Sequence, residues 1–555
     1  MFVYNIVKYI RKDDFCMKKY IALLLCLAAL SMSSCQTTVP PSDGVTTTPQ
    51  TAADQGSLCD LSEYKIVLIG ERIDRIVTSL AADLASDIKS VTGKEIEIVK
   101  NGSEGADDAK EIVVGESTVG SDALTAAGYT DGIAIIKKEN KIYICGTNND
   151  TLVVGLRRFI NNMVAYENGG AFCTANDSTL VDMTGNEFLR VGDRVFRTDL
   201  KSVVYEPTKT KPDVTLTYPK IVVLEHSGEN NGQMLVTEES LDQECYLVHR
   251  STDGGKTWKI TSRIRSGEKG MVANWQPFIY ELPCDVGDMP AGTLLFAGCV
   301  RDGATSKLTQ MVVWKSTDVG KSWEKIATVA EGGGIDAGLW EPVLYAENGK
   351  LHCFYSDETD KKNHSQMLVL KISEDGTNWG ERIEVVACKQ QSLRPGMLTL
   401  TKMGNGEYFI AYEMVGMDGN PIYSKTTKDL SDWSGSGDRG TPVATSTGLS
   451  FGSSPACVWT PAGGENGTLI VTAKHPVGGS SKTGTDWLVS FDYGKTWKNM
   501  DNPLPYTLTD AHRYAYSPGL FVTSDGSVYY VNDINCTLPG LENKASVTLA
   551  RIIIE

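Results

Sequence analysis

From about residue 196 to residue 555 the chain alternates short apolar runs with clusters of Gly, Asp, Asn, Ser and Thr. Runs such as YFIAYEMV (408–415), LFVTSDGSVYYVND (520–533) and SVTLARIII (546–554) have the length and the β-branched and aromatic content of strands. This region therefore reads as almost wholly short strands and turns. Residues from about 57 to 190 have a different texture. Tyr64 to Ile69 (YKIVLI) reads as a strand, and Arg72 to Thr92 places Ile73, Ile76, Leu80, Leu84 and Ile88 at helical spacing. Strand-like IEIV (96–99), EIVVG (111–115), GIAIIKK (132–138) and KIYICG (141–146) follow, and Leu152 to Met163 reads as a second helix. Strands alternating with helices predict a compact α/β domain over 57–190. It carries no phosphate loop, because Gly115, Gly120 and Gly128 lack the spacing of a dinucleotide fingerprint.

The strand-rich region holds five copies of one short motif. Ser251–Trp258 (STDGGKTW), Ser316–Trp323 (STDVGKSW) and Ser490–Trp497 (SFDYGKTW) read S-x-D-x-G-x-x-W. Ser373–Trp379 (SEDGTNW) is one residue shorter, and Thr427–Trp433 (TKDLSDW) lacks the glycine. The starts lie 65, 57, 54 and 63 residues apart, a period that marks stacked repeats. Asp253, Asp318, Asp375 and Asp492, with the Ser before each, can bond backbone amides and pin a turn, while Gly supplies a positive φ and Trp packs between sheets. The motif resembles the Asp box, or bacterial neuraminidase repeat, of sialidase-like β-propellers. That resemblance implies a mainly β fold and a structural role for the motif, and leaves the substrate open. Five boxes mark five blades. A sixth is expected from 514–555, completed by a strand near Val203–Tyr205 that closes the ring. The expected architecture is a six-bladed propeller over 196–555, preceded by the small α/β domain.

Charge and the N-terminal segment set the compartment. The chain has 555 residues and a formal charge of −16, too acidic to favour nucleic acid or an anionic membrane surface. From Met17, MKKYIALLLCLAALSMSSC has a basic start, an apolar run too short to span a bilayer, and small residues before Cys35. Met32–Cys35 resembles a bacterial lipobox, which implies a signal over 1–35 starting at Met17 and lipid on Cys35. Residues 36–56, rich in Thr, Pro and Ser, then form a flexible tether. The expected location is the bacterial cell envelope, on the outer membrane, as a monomer. Thirteen cysteines are present, but the ten outside the leader show no CxxC or Cys/His spacing for zinc or redox chemistry. Cys299 and Cys353 read as small core residues. No metal and no cofactor are expected, and no disulfide is assigned.

Three segments place charges among aromatics. They are Gly338–Leu344 (GLWEPVL) with Phe354–Glu358 (FYSDE), Leu393–Met397 (LRPGM) with Ile410–Glu413 (IAYE), and His512–Gly519 (HRYAYSPG). Glu341 lies between Trp340 and Pro342, and Glu413 sits inside an apolar run, a costly place for a charge without a partner or purpose. Each glutamate reads either as one of a pair of catalytic carboxyls or as one arm of an ion pair with an arginine such as Arg394. Both are expected early in their strands, on adjacent blades.

The succession YPK, WQPF, LWEP, YSDE, RPGM, YE and RYAYSPG resembles glycoside hydrolase family 93, the exo-acting α-1,5-L-arabinanases, over most of residues 215–530. The resemblance implies an inverting hydrolase using Glu341, Glu413 and a tyrosine, Tyr516 or alternatively Tyr514. Glu341 would be the base and Glu413 the acid. Trp275 and Trp340 would stack on sugar faces, or else pack between blades. Asp357, Arg394 and Arg513 would bond sugar hydroxyls or orient the glutamates. Two departures stand out: Lys220 where the family pattern has arginine, and WQPF as an imperfect first loop. The α/β domain resembles the one preceding the catalytic domain of bacterial hexosaminidases. Two alternatives stay open at this point. One is an exo-sialidase, needing three arginines such as Arg301, Arg394 and Arg513. The other is a lipoprotein that binds glycan without cleaving it.

Overall fold

A computed structural model describes residues 59–555 apart from short stretches, the longest being 207–215, 478–483, 505–514 and 536–544. The leader, Cys35, the tether, Arg513 and Tyr514 lie outside the described residues. Residues 56–555 cluster as one compact unit.

The N-terminal part holds a six-stranded mixed sheet. Its order is Ile98–Lys100, Lys65–Ile69, Glu111–Gly115, Lys141–Gly146, Gly132–Lys138 and Ser178–Asp182. The first four strands are mutually parallel, and Gly132–Lys138 runs antiparallel to both of its neighbours. The helix expected from Arg72 runs over Arg75–Thr92. The second expected helix starts earlier, at Asn149, because Asn148 and Thr151 form a capping box, and it ends in a π-turn over Phe159–Met163. A helix at Thr118–Ala127 was not expected. Its signals are the Ser117 cap and Gly128, whose φ of 72° suits a C-terminal glycine. Arg157, 0 % exposed, projects from the 149–158 helix into the strand region and pairs with Asp486 and Asp501.

Beyond residue 190 the chain is built from antiparallel sheets that follow one another along the sequence. Five have four strands: sheet one begins with Leu216–Val223 and Met234–Ser240, and sheet two with Met271–Glu281 and Leu294–Asp302. Sheet three begins with Leu339–Glu347 and Lys350–Asp357, sheet four with Arg394–Lys402 and Tyr408–Val415, and sheet five with Ala456–Thr460 and Thr468–Thr472. Sheet six has five strands, in the order Phe188–Val191, Arg194–Tyr205, Ala545–Ile554, Val528–Asn535 and Gly519–Val522. Counting the strands of sheet six from Gly519–Val522, the first strand of each sheet packs on the first strand of the next, and that of sheet six packs on that of sheet one. Aromatic wedges fill the gaps between sheets. Between sheets one and two, Phe296 meets Trp314 and Trp323 edge-on at 6.0 and 5.6 Å. Burying side chains of this size contributes roughly 1.5–3 kcal/mol each.

The repeated motif forms the hairpin between third and fourth strands. Asp318 accepts from the amides of Lys321 and Ser322 and from the hydroxyls of Ser316 and Ser322, at 2.6–3.0 Å. Asp253, Asp375 and Asp492 do the same in their own turns. Trp323 donates to Ser262 of sheet one, and Trp258 to Ser202 of sheet six, so each indole ties its hairpin to the preceding sheet. Asp429, without a glycine, still holds Ser431. Sheet six has no box for a topological reason: its third and fourth strands, Ala545–Ile554 and Arg194–Tyr205, come from distant parts of the chain, so no hairpin joins them.

Candidate active site

Each first strand carries a left-handed residue near its start. Tyr218, Gln276, Glu341, Met397, Ser454 and Ser517 have φ between 52° and 65°, and all but Met397 precede a proline. In sheets one to four the register of the first and second strands slips at this point, between Thr217 and Lys220, Trp275 and Phe278, Trp340 and Val343, and Gly396 and Thr399. These are β-bulges, which re-aim a side chain beside a site, and a non-glycine residue held in such a conformation stores roughly 1–3 kcal/mol of strain. Tyr218, Gln276, Glu341, Met397 and Ser517 line one cavity of about 110 Å³.

Hydrogen bonds pass from sheet to sheet around these bulges. The amide of Gln276 donates to Glu239 of sheet one, that of Glu341 to the Gln276 side chain, and that of Met397 to Glu341. Ser454 donates its amide to Glu413 of sheet four, and Tyr218 donates its amide to the Tyr516 carbonyl. The X-Pro dipeptides were the sequence signal for this ring. Their common role emerges only once the strands are aligned.

Glu341 is held from three sides. Tyr218 Oη donates to Oε1 at 3.1 Å, while Ser356 Oγ and the Met397 amide donate to Oε2 at 2.8 Å each. Glu413, 4 % exposed, accepts the Ser454 amide at 3.1 Å. It lies late in its strand, not early. The second strand runs back antiparallel, so its end returns to the bulges, and Glu413 stands opposite Gly396. A methyl placed on Gly396 would sit 3.6 Å from Glu413 Oε1 and 3.8 Å from Glu341 Oε2. The two carboxyls are thus separated by no more than the sum of those distances. Burial, and next the Glu341 charge, pushes the Glu413 carboxyl above its ordinary value. A carboxyl whose environment favours its protonated form, beside a second that accepts three hydrogen bonds, is the division of labour that glycosidic cleavage needs.

Other expected residues fall in different places. Tyr516 packs edge-on against Tyr218 at 5.5 Å, with Lys474 Nζ 4.6 Å from its ring centre. Burial first, then Glu413 and Glu341, raises its phenol. Arg394 donates to Glu358 at 2.9 Å. Burial opposes its charge, but Glu358, Glu341 and Glu413 together raise its guanidinium. Trp275 and Trp340 pack against each other at 5.6 Å with their planes tilted by 44°, and Arg301 covers the Trp275 ring at 4.8 Å. Asp357 is not brought to the glutamates. It follows Ser356 on the strand and so faces the other way, where Arg382 and Thr359 hold it. Lys220 spends its ammonium on Ser517 O, Ser517 Oγ and Pro518 O at 2.7–3.1 Å, and burial lowers it to about 7. Tyr218 and Glu239 are site residues that the sequence did not single out. Among the described residues no cluster of His, Cys, Asp and Glu suits a metal ion.

No protein-family model and no curated protein matches the chain. Solved structures do. An α-L-arabinanase of Penicillium chrysogenum, solved with arabinobiose, is 29 % identical with a TM-score of 0.54, over 63 % of this chain and 98 % of its own. The family 93 α-L-arabinofuranosidase of Fusarium graminearum, also solved with arabinobiose, is 26 % identical with a TM-score of 0.55, over 64 % and 98 %. The Fusarium enzyme with an iminosugar inhibitor gives the same identity and score. Paired carboxyls in a mainly β fold, matched along nearly the whole length of these enzymes, make this chain a glycoside hydrolase that resembles the family 93 arabinanases.

Proposed function

We propose that this hydrolase is an exo-acting, inverting α-1,5-L-arabinanase. Its catalytic part is a six-bladed propeller over 196–555 behind an accessory α/β domain, and lipid on Cys35 holds it at the cell envelope. The observation that carries the reading is the meeting of Glu341 and Glu413 across Gly396, in a chain whose solved neighbours bind arabinobiose. The cyclic packing of first strands supports six blades.

In this reading Glu413 gives its proton to the glycosidic oxygen as the bond from the anomeric carbon breaks. Water attacks that carbon from the opposite face, and Glu341 takes the water proton. Both carboxyls return to their starting states by proton exchange with solvent. Tyr218 and Ser356 hold Glu341 ready, and Tyr516 backs Tyr218 edge-on. Trp275 and Trp340 offer ring surface for furanose faces. The substrate is expected to be uncharged, because the nearby cations are engaged: Arg394 by Glu358 and Lys220 by three oxygens. That arrangement weighs against a sialic acid carboxylate.

Incubation with linear arabinan, followed by product separation and NMR of the newly formed anomer, tests the reading. Arabinobiose in the inverted configuration is expected, with loss of activity in Glu341→Ala and Glu413→Ala. Free sialic acid from sialyllactose, or activity retained in both variants, would overturn it. Radiolabelled fatty acid should be incorporated by wild-type protein and not by Cys35→Ala.

A further inference from the structure

Sheets one and four carry the same device at matching places. In sheet four, Glu413 stands opposite Gly396, the residue before the bulge at Met397, and accepts the Ser454 amide of sheet five. In sheet one, Glu239 stands opposite Thr217, the residue before the bulge at Tyr218, and accepts the Gln276 amide of sheet two at 2.8 Å. The corresponding positions in sheets two and three hold Cys299 and Ser356. Glu239 is therefore the counterpart of Glu413, and it is buried in the same way, 8 % exposed.

Contacts connect Glu239 to Glu341 by two routes. Gln276, pinned by Glu239, accepts the Glu341 amide on its Oε1 at 3.1 Å. Its Nε2 donates to the Tyr218 hydroxyl at 3.4 Å, which in turn donates to Glu341 Oε1. We propose that Glu239 is a third carboxyl of the active site, a positioning residue that holds Gln276 and through it sets the orientation and ionisation of Glu341. The proposal rests on the reading of Glu341 and Glu413 as the catalytic pair.

The charge environment gives this role a signature. Burial raises the Glu239 carboxyl to about 7; the Gln276 amide and Arg301 pull it down, and Glu341 pushes it up. Tyr218, Tyr246, Tyr516 and Cys299 also face it. Glutamine at this position keeps an acceptor for the Gln276 amide but cannot ionise, so a purely structural role would survive the change.

The experiment is the pH profile of kcat and KM on linear arabinan for wild type, Glu239→Gln and Arg301→Met. Wild type is expected to show an inflection near pH 7 that Glu239→Gln abolishes, with kcat down about tenfold and KM within about twofold. Arg301→Met should move the inflection to higher pH, since burial is then less opposed. An unmoved profile in Glu239→Gln overturns the proposal whatever its kcat. If that variant does not fold, an unmoved inflection in Arg301→Met overturns it instead. Failure of wild type to cleave arabinan would count against the catalytic pair and not against Glu239 alone.

A different observation concerns the start of the described chain. Cys59 and Cys173 are register partners of an antiparallel pair. Directly opposed residues in such a pair have Cα atoms about 4.5–5.5 Å apart, inside the ~4.4–6.8 Å that a disulfide spans. Contact with Cys173 lowers the Cys59 thiol to about 6, which favours the reactive thiolate. We infer that Cys59 and Cys173 close a disulfide, the two thiols giving two electrons and two protons to a disulfide-bearing oxidant that leaves as a dithiol. Non-reducing peptide mapping of the whole protein equilibrated with oxidised and reduced glutathione should recover one linked peptide pair. Cys59→Ser should leave Cys173 open to alkylation. Recovery of both residues as alkylated thiols from the oxidised wild type would overturn the inference.

Discussion

Tyr218 donates its hydroxyl to Glu341 Oε1 at 3.1 Å, although the two residues stand 123 positions apart and on sheets one and three. The tyrosine that touches the expected base is thus not Tyr516, which packs edge-on against Tyr218 instead.

Removing that hydroxyl should be felt in the rate. A hydrogen bond to a charged group is worth about 1.5–3 kcal/mol, so Tyr218→Phe is expected to lower kcat/KM on arabinan by roughly 10- to 100-fold. Thermal stability should change little. Kinetics equal to wild type would show that the hydroxyl does not hold Glu341 in the transition state.

Glu413 should reveal itself in both pH and temperature. Its carboxyl is raised by burial and by Glu341, so its contribution to stability is complete below the unfolded value, about 4.3, and is lost as pH rises through the folded one. Glu413→Gln, which cannot ionise, should therefore melt higher than wild type at pH 7, with the gap closing near pH 4. The same change should cut kcat on arabinan by about 10²–10⁴, and much less on an aryl arabinoside whose leaving group needs no proton. Calorimetry and paired kinetics check this. Equal losses on both substrates would exclude Glu413 as the acid.

Gly396→Ala places a methyl between the two carboxyls and 2.8 Å from Gln366 Nε2. Displacing reacting groups by this much costs on the order of 10² in rate. The expected result is a folded protein with kcat down about that far, checked by circular dichroism alongside turnover. A normal rate would place the substrate elsewhere.

Arg157 makes a prediction about stability alone. Arg157→Leu leaves Asp486 and Asp501 facing an apolar side chain, and breaking a buried ion pair from one side costs about 3–5 kcal/mol. Urea unfolding should show that loss. The remaining folded enzyme should turn over arabinan at the wild-type rate, since the contact is made in sheet five and not at the bulges.

What could be read in advance follows the range of each interaction. The Asp boxes are local: Asp318 and the groups it binds lie within a few residues, so the motif reports its own turn. Glu341 and Glu413 were legible as charges in apolar surroundings. Asp357 was misplaced for the reason that strands are hard to read at all: a shift of one residue exchanges the faces, and Ser356 took the inward one. Glu239 was hidden in TEES (237–240), because nothing local says that a bulge at Tyr218 sets its register against Thr217. The Thr118–Ala127 helix was passed over because only its cap and its terminal glycine announce it.

The chain of amides around the bulges has an evolutionary corollary. Glu239, Gln276, Glu341 and Glu413 receive the backbone of the neighbouring sheet on their side chains. On the proposed assignment of Glu341 and Glu413, reactive groups and fasteners are the same atoms, so catalysis cannot be discarded while the frame is kept as it was. A descendant that lost Glu341 would also unfasten Met397, and compensation would have to spread to the adjoining sheets. Retired copies of this enzyme should therefore be recognisable by drift at several bulges together.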